Sequence, residues 1–155
     1  MKKIMIVFFA VTLATTAHAQ KISEDKVPAA AVSAFKAKFP HAEKVKWQME
    51  ESKDYEANFD LNKSEMSVVF DATGNWMETE TEITTATLPQ AVSAAVAKQF
   101  GDYKIKEASK VEKKDSDCFE VELSKGKEVI EVALTPTGEV LSKKAEGKKD
   151  KEDKD

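Results

Sequence analysis

Tyr55-Glu56-Ala57-Asn58-Phe59, followed by Met66-Ser67-Val68-Val69-Phe70 and Asp71-Ala72-Thr73-Gly74-Asn75-Trp76, decides the fold, because its pattern returns 64 positions later. The counterparts are Phe119-Glu120-Val121-Glu122-Leu123, Ile130-Glu131-Val132-Ala133-Leu134 and Thr135-Pro136-Thr137-Gly138-Glu139-Val140. A shift held without a gap over this stretch implies a repeated structural unit. Within it, Tyr55, Ala57, Phe59 and Leu61 alternate with Glu56, Asn58 and Asp60, and Met66, Val68 and Phe70 alternate with Glu65 and Ser67. Period two with one apolar side marks antiparallel strands with one dry and one wet face. Asp71 to Gly74 suits a type I hairpin turn with a left-handed glycine, and Thr135 to Gly138 is the same turn with proline in second place. Asn62-Lys63 and Lys125-Gly126 read as tight connections between strands.

Outward from these hairpins lie two helix signals. Pro28 stands where a first turn tolerates proline, Ala31, Phe35 and Phe39 fall four apart on one face, and Pro40 stops the run. In the second copy Thr87 is a candidate N-cap before Leu88-Pro89, Val92, Val96 and Phe100 repeat the spacing, and Gly101 ends it. The helices sit 61 apart rather than 64, which predicts about three extra residues between helix and sheet in the second copy. After the first helix, Val45, Trp47 and Met49 alternate with Lys44, Lys46 and Gln48. The fold class is therefore α+β, with two tandem units of one helix and about four antiparallel strands. Repeat one covers 24–83 and repeat two 88–142, and the helices cover one face of a curved sheet. The expected dry stripe is Trp47, Tyr55, Phe59, Met66, Val68, Phe70 and Trp76, matched by Val111, Phe119, Leu123, Ile130, Val132, Leu134 and Val140.

The ends have other roles. Residues 1–19 read as an export signal: Lys2 and Lys3, an apolar run from Ile4 to Leu13, then Ala17-His18-Ala19 before Gln20. That run is shorter than the roughly 20 residues a bilayer span needs. The mature chain is expected to be periplasmic or secreted and without membrane insertion, and no cysteine follows the cleavage site to accept a lipid. Loss of Lys2 and Lys3 takes the formal charge from −4 to −6. That balance argues against a nucleic-acid partner, which needs a concentrated basic face. Residues 143–155 are nearly all Lys, Glu and Asp, a composition that predicts a disordered charged tail. Cys118 is the only cysteine, so no intramolecular disulfide can brace the fold. At a strand start, it reads as a surface-edge thiol or an intermolecular disulfide partner.

Catalytic motifs are missing. Only His41 survives signal removal, alone in a loop after Pro40, so a Ser or Cys triad lacks its base. One histidine and one distant cysteine do not make a zinc site, and no glycine-rich phosphate loop is present. Glu78, Glu80 and Glu82 at period two, and Asp115 with Asp117 before Cys118, read as a solvated strand edge and a turn. An acidic chain offers many Asp/Glu pairs, so a carboxylate-pair hydrolase has little specific support. No catalytic residue, metal ligand or cofactor is expected, and the chain reads as a monomeric non-enzyme.

The wet face remains as the candidate surface. Lys44, Lys46 and Gln48 should face Glu56, Asn58 and Asp60, either as cross-strand pairs worth about 0.2–1 kcal/mol each or as a partner-binding surface. Val69, Met77, Val129, Ala133 and Leu141 share that parity, and apolar groups among charges mark interaction sites. Lys44, Lys46, Gln48, Glu56, Asn58, Asp60, Val69 and Met77 are the candidate binding residues. The expected partner is a protein or peptide of the cell envelope. The alternative is a carrier of a small ligand or metal ion on the carboxylate-rich face.

Several motifs resemble the PepSY-like, beta-lactamase-inhibitor-like family. They are Val27-Pro28-Ala29-Ala30 and Leu88-Pro89-Gln90-Ala91 at the helix starts, Phe39-Pro40, Val45-Lys46-Trp47, Tyr55 to Phe59, Val69 to Gly74, Glu78-Thr79-Glu80 and Tyr103 to Ala108. The resemblance spans about Lys26 to Leu141. It implies a helix-plus-four-strand unit in tandem and a concave sheet face of the kind that grips an enzyme in the inhibitor. That inhibitor is disulfide-braced and this chain is not, and the resemblance transfers no catalytic or binding residues.

Overall fold

The structure is a computed structural model and describes residues 20–50 and 53–146. The expected signal peptide and residues 147–155 of the expected tail lie outside the described residues. Prolines start both helices. Pro28 (φ −52°) and Pro89 (φ −54°) occupy the N-cap positions of α1, Ala29–Lys38, and α2, Gln90–Gln99. A proline there gives up an N–H that would have had no intrahelical acceptor. Thr87 is not the N-cap expected of it. It lies in a 3-10 turn, Thr85–Thr87, where its hydroxyl donates to the Thr84 carbonyl at 2.7 Å. Phe39 and Phe100 cap the C-termini, each N–H donating to the carbonyl four residues back.

The strands are β1 Gln20–Ile22, β2 Glu43–Met49, β3 Tyr55–Leu61, β4 Ser64–Phe70, β5 Trp76–Glu82, β6 Lys104–Lys113, β7 Cys118–Lys125, β8 Glu128–Leu134 and β9 Val140–Glu146. They form one antiparallel nine-stranded sheet in chain order. The halves join directly, through β5 and β6, with Glu78 opposite Lys113 and Glu82 opposite Ser109. Two features depart from the sequence reading. β1 was not expected, and it lines the outer edge of β2. β9 runs past Ser142, so Lys143 to Glu146 are strand rather than tail, because their backbone pairs with β8 from Val132 to Val129. Charged side chains on such an edge strand discourage pairing with another chain.

Register assigns the faces, since directly paired residues of antiparallel strands project to the same side. Met66, Thr81, Lys110 and Phe119 form one such row, so both halves turn the same face to the helices. On it α1 buries Ala31 and Phe35 against Trp47, Ala57, Phe59, Val68 and Phe70, with Tyr55, Met66 and Trp76 packed around them. α2 buries Val92 and Val96 against Ala108, Val121, Leu123, Ile130, Val132 and Leu134. Polar Thr79, Thr81, Lys110 and Glu112 separate the clusters along β5–β6. Val111 does not join this core as expected; it pairs with Cys118 and faces the other way. The counterpart of Trp47 is Ala108, since Trp47 pairs with Ala57 and Ala108 with Val121. The extra residues therefore lengthen the β6–β7 hairpin, not the helix-to-sheet connection.

The turns clasp the helices. Gly74 (φ +84°) and Gly138 (φ +87°) close the expected type I turns, donating to the Asp71 and Thr135 carbonyls at 3.0 and 2.9 Å. The Asp71 carboxylate also accepts from the Thr73 hydroxyl and the Asn75 amide, and then from both residues' backbone N–H groups, and these bonds hold its carboxyl at about 2. Between β3 and β4, Asn62 and Lys63 take φ of 52° and 69°. Between β7 and β8 the turn residues are Gly126 and Lys127, one place later than expected, flanked by the Lys125–Glu128 pair.

Candidate functional site

The face away from the helices is built by rows of paired residues. Lys46, Asn58, Ser67, Glu80, Val111 and Cys118 form one row from β2 to β7. Gln48, Glu56, Val69, Glu78 and Lys113 form the next. Glu82, Ser109, Glu120, Ala133 and Ser142 form a third across the second half, and Glu107, Glu122, Glu131 and Lys144 a fourth. Both helices pack against the opposite face, so among the described residues no helix covers this one.

The candidates from sequence meet here, at the β2–β5 end. Lys44 sits in a bulge of β2 at φ 53°, and its Nζ pairs with the Asp60 carboxylate. Gln48 donates to Glu56, and Lys46 lies opposite Asn58. Val69 lies opposite Glu56 on one side and Glu78 on the other. Met77 stands at the bulge where β5 slips against β4, and 46% of it is exposed. Leu141 occupies the matching bulge of β9 against β8 and is 55% exposed. A bulge inserts one extra residue and re-aims a side chain. Met77 and Leu141 are the exposed large hydrophobic residues among the described residues.

Sequence reasoning passed over the larger part of the face. Glu78, Glu80 and Glu82 are not at a solvated edge, because β5 is the fifth of nine strands. Glu80 is flanked by Glu107, Ser109, Glu120, Glu122 and Glu131 around a shallow hollow. Burial pushes the Glu80 carboxyl up, against a hydrogen bond from Ser109, and Glu131 and Glu56 push the same way. Burial likewise pushes Glu120 up to about 7, with Glu131 and then Glu80 adding repulsion. Lys113 lies 3.1 Å from Glu78, and Lys144 3.5 Å from Glu131. The alternating Glu120 and Glu122 of β7 were the available signal, but their neighbours on β5 and β8 are set by long-range pairing.

Cys118 is not a surface-edge thiol. It is 4% exposed beside Val111, and burial raises its pKa. That closes the route to an intermolecular disulfide without local opening. Among the described residues no group of three or more His, Cys, Asp or Glu is placed to hold a metal ion, and no helix is long and apolar enough to cross a membrane.

The family model "Putative beta-lactamase-inhibitor-like, PepSY-like" matches residues 13–71 and again 53–142. The chain belongs to this family. Its PepSY-like fold is shared by a DUF2874 family protein of Bacteroides uniformis, at 27% identity and TM-score 0.69 over 76% of this chain and 88% of that one. A BLIP-like protein of Bacteroides fragilis matches at 27% identity and TM-score 0.63, over 77% and 88%. A protein of Bacteroides eggerthii named as a "putative periplasmic" protein shares the fold at 24% identity and TM-score 0.70, over 77% and 88%. No curated protein matches the chain.

Proposed function

We propose that this PepSY-like chain is an exported, non-enzymatic binding protein of the periplasm that recognises a protein or peptide through its open sheet face. The same reading takes the two halves as a tandem repeat of one helix-plus-four-strand unit. One observation carries the function: both helices lie on one side of a nine-stranded sheet, and on the other side Met77 is exposed among carboxylates, with Leu141 exposed at the bulge of β9. Apolar groups set in a polar surface are what a partner can desolvate. Export is supported by the signal pattern of residues 1–19. The Bacteroides eggerthii protein is named for the same compartment. The family's beta-lactamase-inhibitor-like description supports a binding role.

The test uses the chain from Gln20 onward as bait in an envelope extract, followed by titration of the purified, identified partner. Met77→Asp combined with Leu141→Asp should weaken that partner by about tenfold or more, because buried apolar anchors dominate interfaces. Lys36→Glu on the helix side should leave it unchanged. Unaltered affinity in the double variant removes the open face as the site.

A further inference from the structure

Charge is spread unevenly over the open face. At the β2–β3 end, carboxylates are answered by Lys44 and by the Gln48 amide. From β5 to β8 that balance fails. Glu80, Glu120 and Glu131 are spread across that stretch, with Glu82 and Glu107 beside them, around adjoining shallow hollows of about 240 and 170 Å³. Among the described residues no lysine bridges Glu80 or Glu120. The nearby cations, Lys113 and Lys144, are engaged by Glu78 and Glu131. At the β4–β5 end of the same face, Val69 and Met77 line a further hollow with Glu56, Glu78 and Glu80.

We infer that the open face docks an extended polypeptide segment that carries basic and apolar residues on the same side, at every second position, its lysines or arginines over Glu80, Glu120 and Glu131 and its apolar side chains against Val69 and Met77. This rests on the open-face reading above and names the chemistry of the partner. Charge complementarity selects the sign: half-buried carboxylates that repel one another gain most from an incoming cation. Geometry selects the class. The carboxylates are strung across strands about 4.8 Å apart rather than gathered on one point, which a small hard cation would require. The exposed apolar end has no use for a simple polyamine. An extended chain presents every second residue to one side, about 6.7 Å apart, and can carry both chemistries on that side.

Docking should be pH-dependent. Glu120 faces Glu131 of β8 and Glu80 of β5, with Lys113 of β6 and Lys144 of β9 as the opposing charges. In the free protein its carboxyl is held at about 7, and a docked cation returns it towards the ordinary carboxylate range. The bound state then holds fewer protons than the free state around neutrality. Affinity therefore rises with pH through 7, by about tenfold between roughly pH 6 and 8, and levels off above.

The probe is a blocked Lys-Ser-Lys-Ser-Lys-Ser-Leu peptide, which carries its lysines and its leucine on one side when extended, titrated calorimetrically into the mature chain beside its Glu-Ser-Glu-Ser-Glu-Ser-Leu counterpart, spermidine and calcium chloride. The cationic peptide should saturate below roughly 1 mM at pH 8 and show the tenfold pH gain. Glu120→Gln should abolish the gain, and Glu80→Gln with Glu120→Gln should weaken binding about tenfold. Thermal melts confirm that these isosteric variants are folded. No saturation by the cationic peptide, equal binding of the anionic one, a match by spermidine or calcium, or unchanged affinity in the Gln variants overturns the inference. The partner captured above separates the two readings. If it survives the Gln substitutions but not Met77→Asp with Leu141→Asp, the face stands and the cationic chemistry falls. If it survives both sets, both fall.

Discussion

The first half packs rings where the second packs branched aliphatic chains, on the same face of the same sheet. Phe35 meets Trp47 at 5.3 Å and Phe59 at 5.1 Å between ring centroids, both edge-on, and Phe39 lies 4.7 Å from Phe59. The corresponding residues of the second half are Val96, Ala108, Leu123 and Phe100. Those changes remove volume. Others restore it: Ala31 and Ala57, both fully buried, correspond to Val92 and Val121. Small neighbours make room for rings in one half, and larger neighbours fill the space the rings vacate in the other. A core of this kind constrains total volume and pattern more than residue identity.

The largest effects should come from breaking that balance. Phe59→Ala should cost about 3–5 kcal/mol in urea unfolding and Leu123→Ala about 2–5, with Phe59 ahead because it also loses its ring contacts. Phe59→Leu is the sharper probe. Alone it leaves a cavity beside Ala57, and Ala57→Val should recover part of the loss. If the double variant is no more stable than Phe59→Leu, the halves do not exchange volume in the way described.

Next come the turns, where the halves agree at one place and differ at another. A Cβ on Gly74 would lie 2.7 Å from the Ala30 carbonyl oxygen, and one on Gly138 2.5 Å from that of Ala91. Both backbones are left-handed, so Gly74→Ala and Gly138→Ala should each cost about 1–3 kcal/mol, Gly138 the more. Gly126 meets nothing within 4 Å. Its first-half counterpart is Asn62, at φ 52°. Gly126→Asn should therefore change the urea midpoint little, while Gly126→Ala costs about 1 kcal/mol for the left-handed backbone alone. Equal losses at Gly126 and Gly138 would mean that backbone conformation, not helix contact, governs both turns.

Elements set by neighbours in sequence were legible without coordinates. Prolines 28 and 89, the helical spacing of Phe35 and Val96, and the glycine turns at 74 and 138 each declare themselves within a few residues. Register did not. The strand after α2 keeps the helical offset of 61, and only beyond the β6–β7 hairpin does 64 apply. The difference of three is odd, and an odd slip moves a side chain to the opposite face. That is why Val111 was expected in the core and lies beside Cys118 on the open side. The acidic centre was hidden for a related reason. Glu78, Glu80 and Glu82 show which face they share, but only the pairing of β5 with β6 shows that they stand inside a sheet opposite Ser109, Val111 and Lys113. The eight chosen residues all came from β2–β5, where opposite charges alternate visibly. β1 and the last turn of pairing in β9 carry no apolar alternation at all.

The smallest expected effects compare the two tryptophans, which have no aromatic counterparts in the second half. Trp47 is 4% exposed, and its Nε1 is buried without a hydrogen-bond partner among the described residues, whereas the Trp76 Nε1 donates to the Thr79 hydroxyl at 2.8 Å. Trp47→Phe removes an unsatisfied donor and some ring volume, two changes of opposite sign, so its net effect should fall within about 0.5 kcal/mol of zero. Trp76→Phe loses a made bond and leaves the Thr79 oxygen, itself buried, without its donor, which should cost about 1 kcal/mol or slightly more. Each variant keeps one tryptophan, so the same urea titration followed by fluorescence reads the first core from each ring in turn. The place equivalent to Trp47 is filled by Ala108, which has no polar atom in its side chain, so the second half never meets the unsatisfied donor. If Trp47→Phe proves the more damaging of the two, ring volume outweighs the polar atom, and the aromatic half is less tolerant of repacking than its aliphatic counterpart.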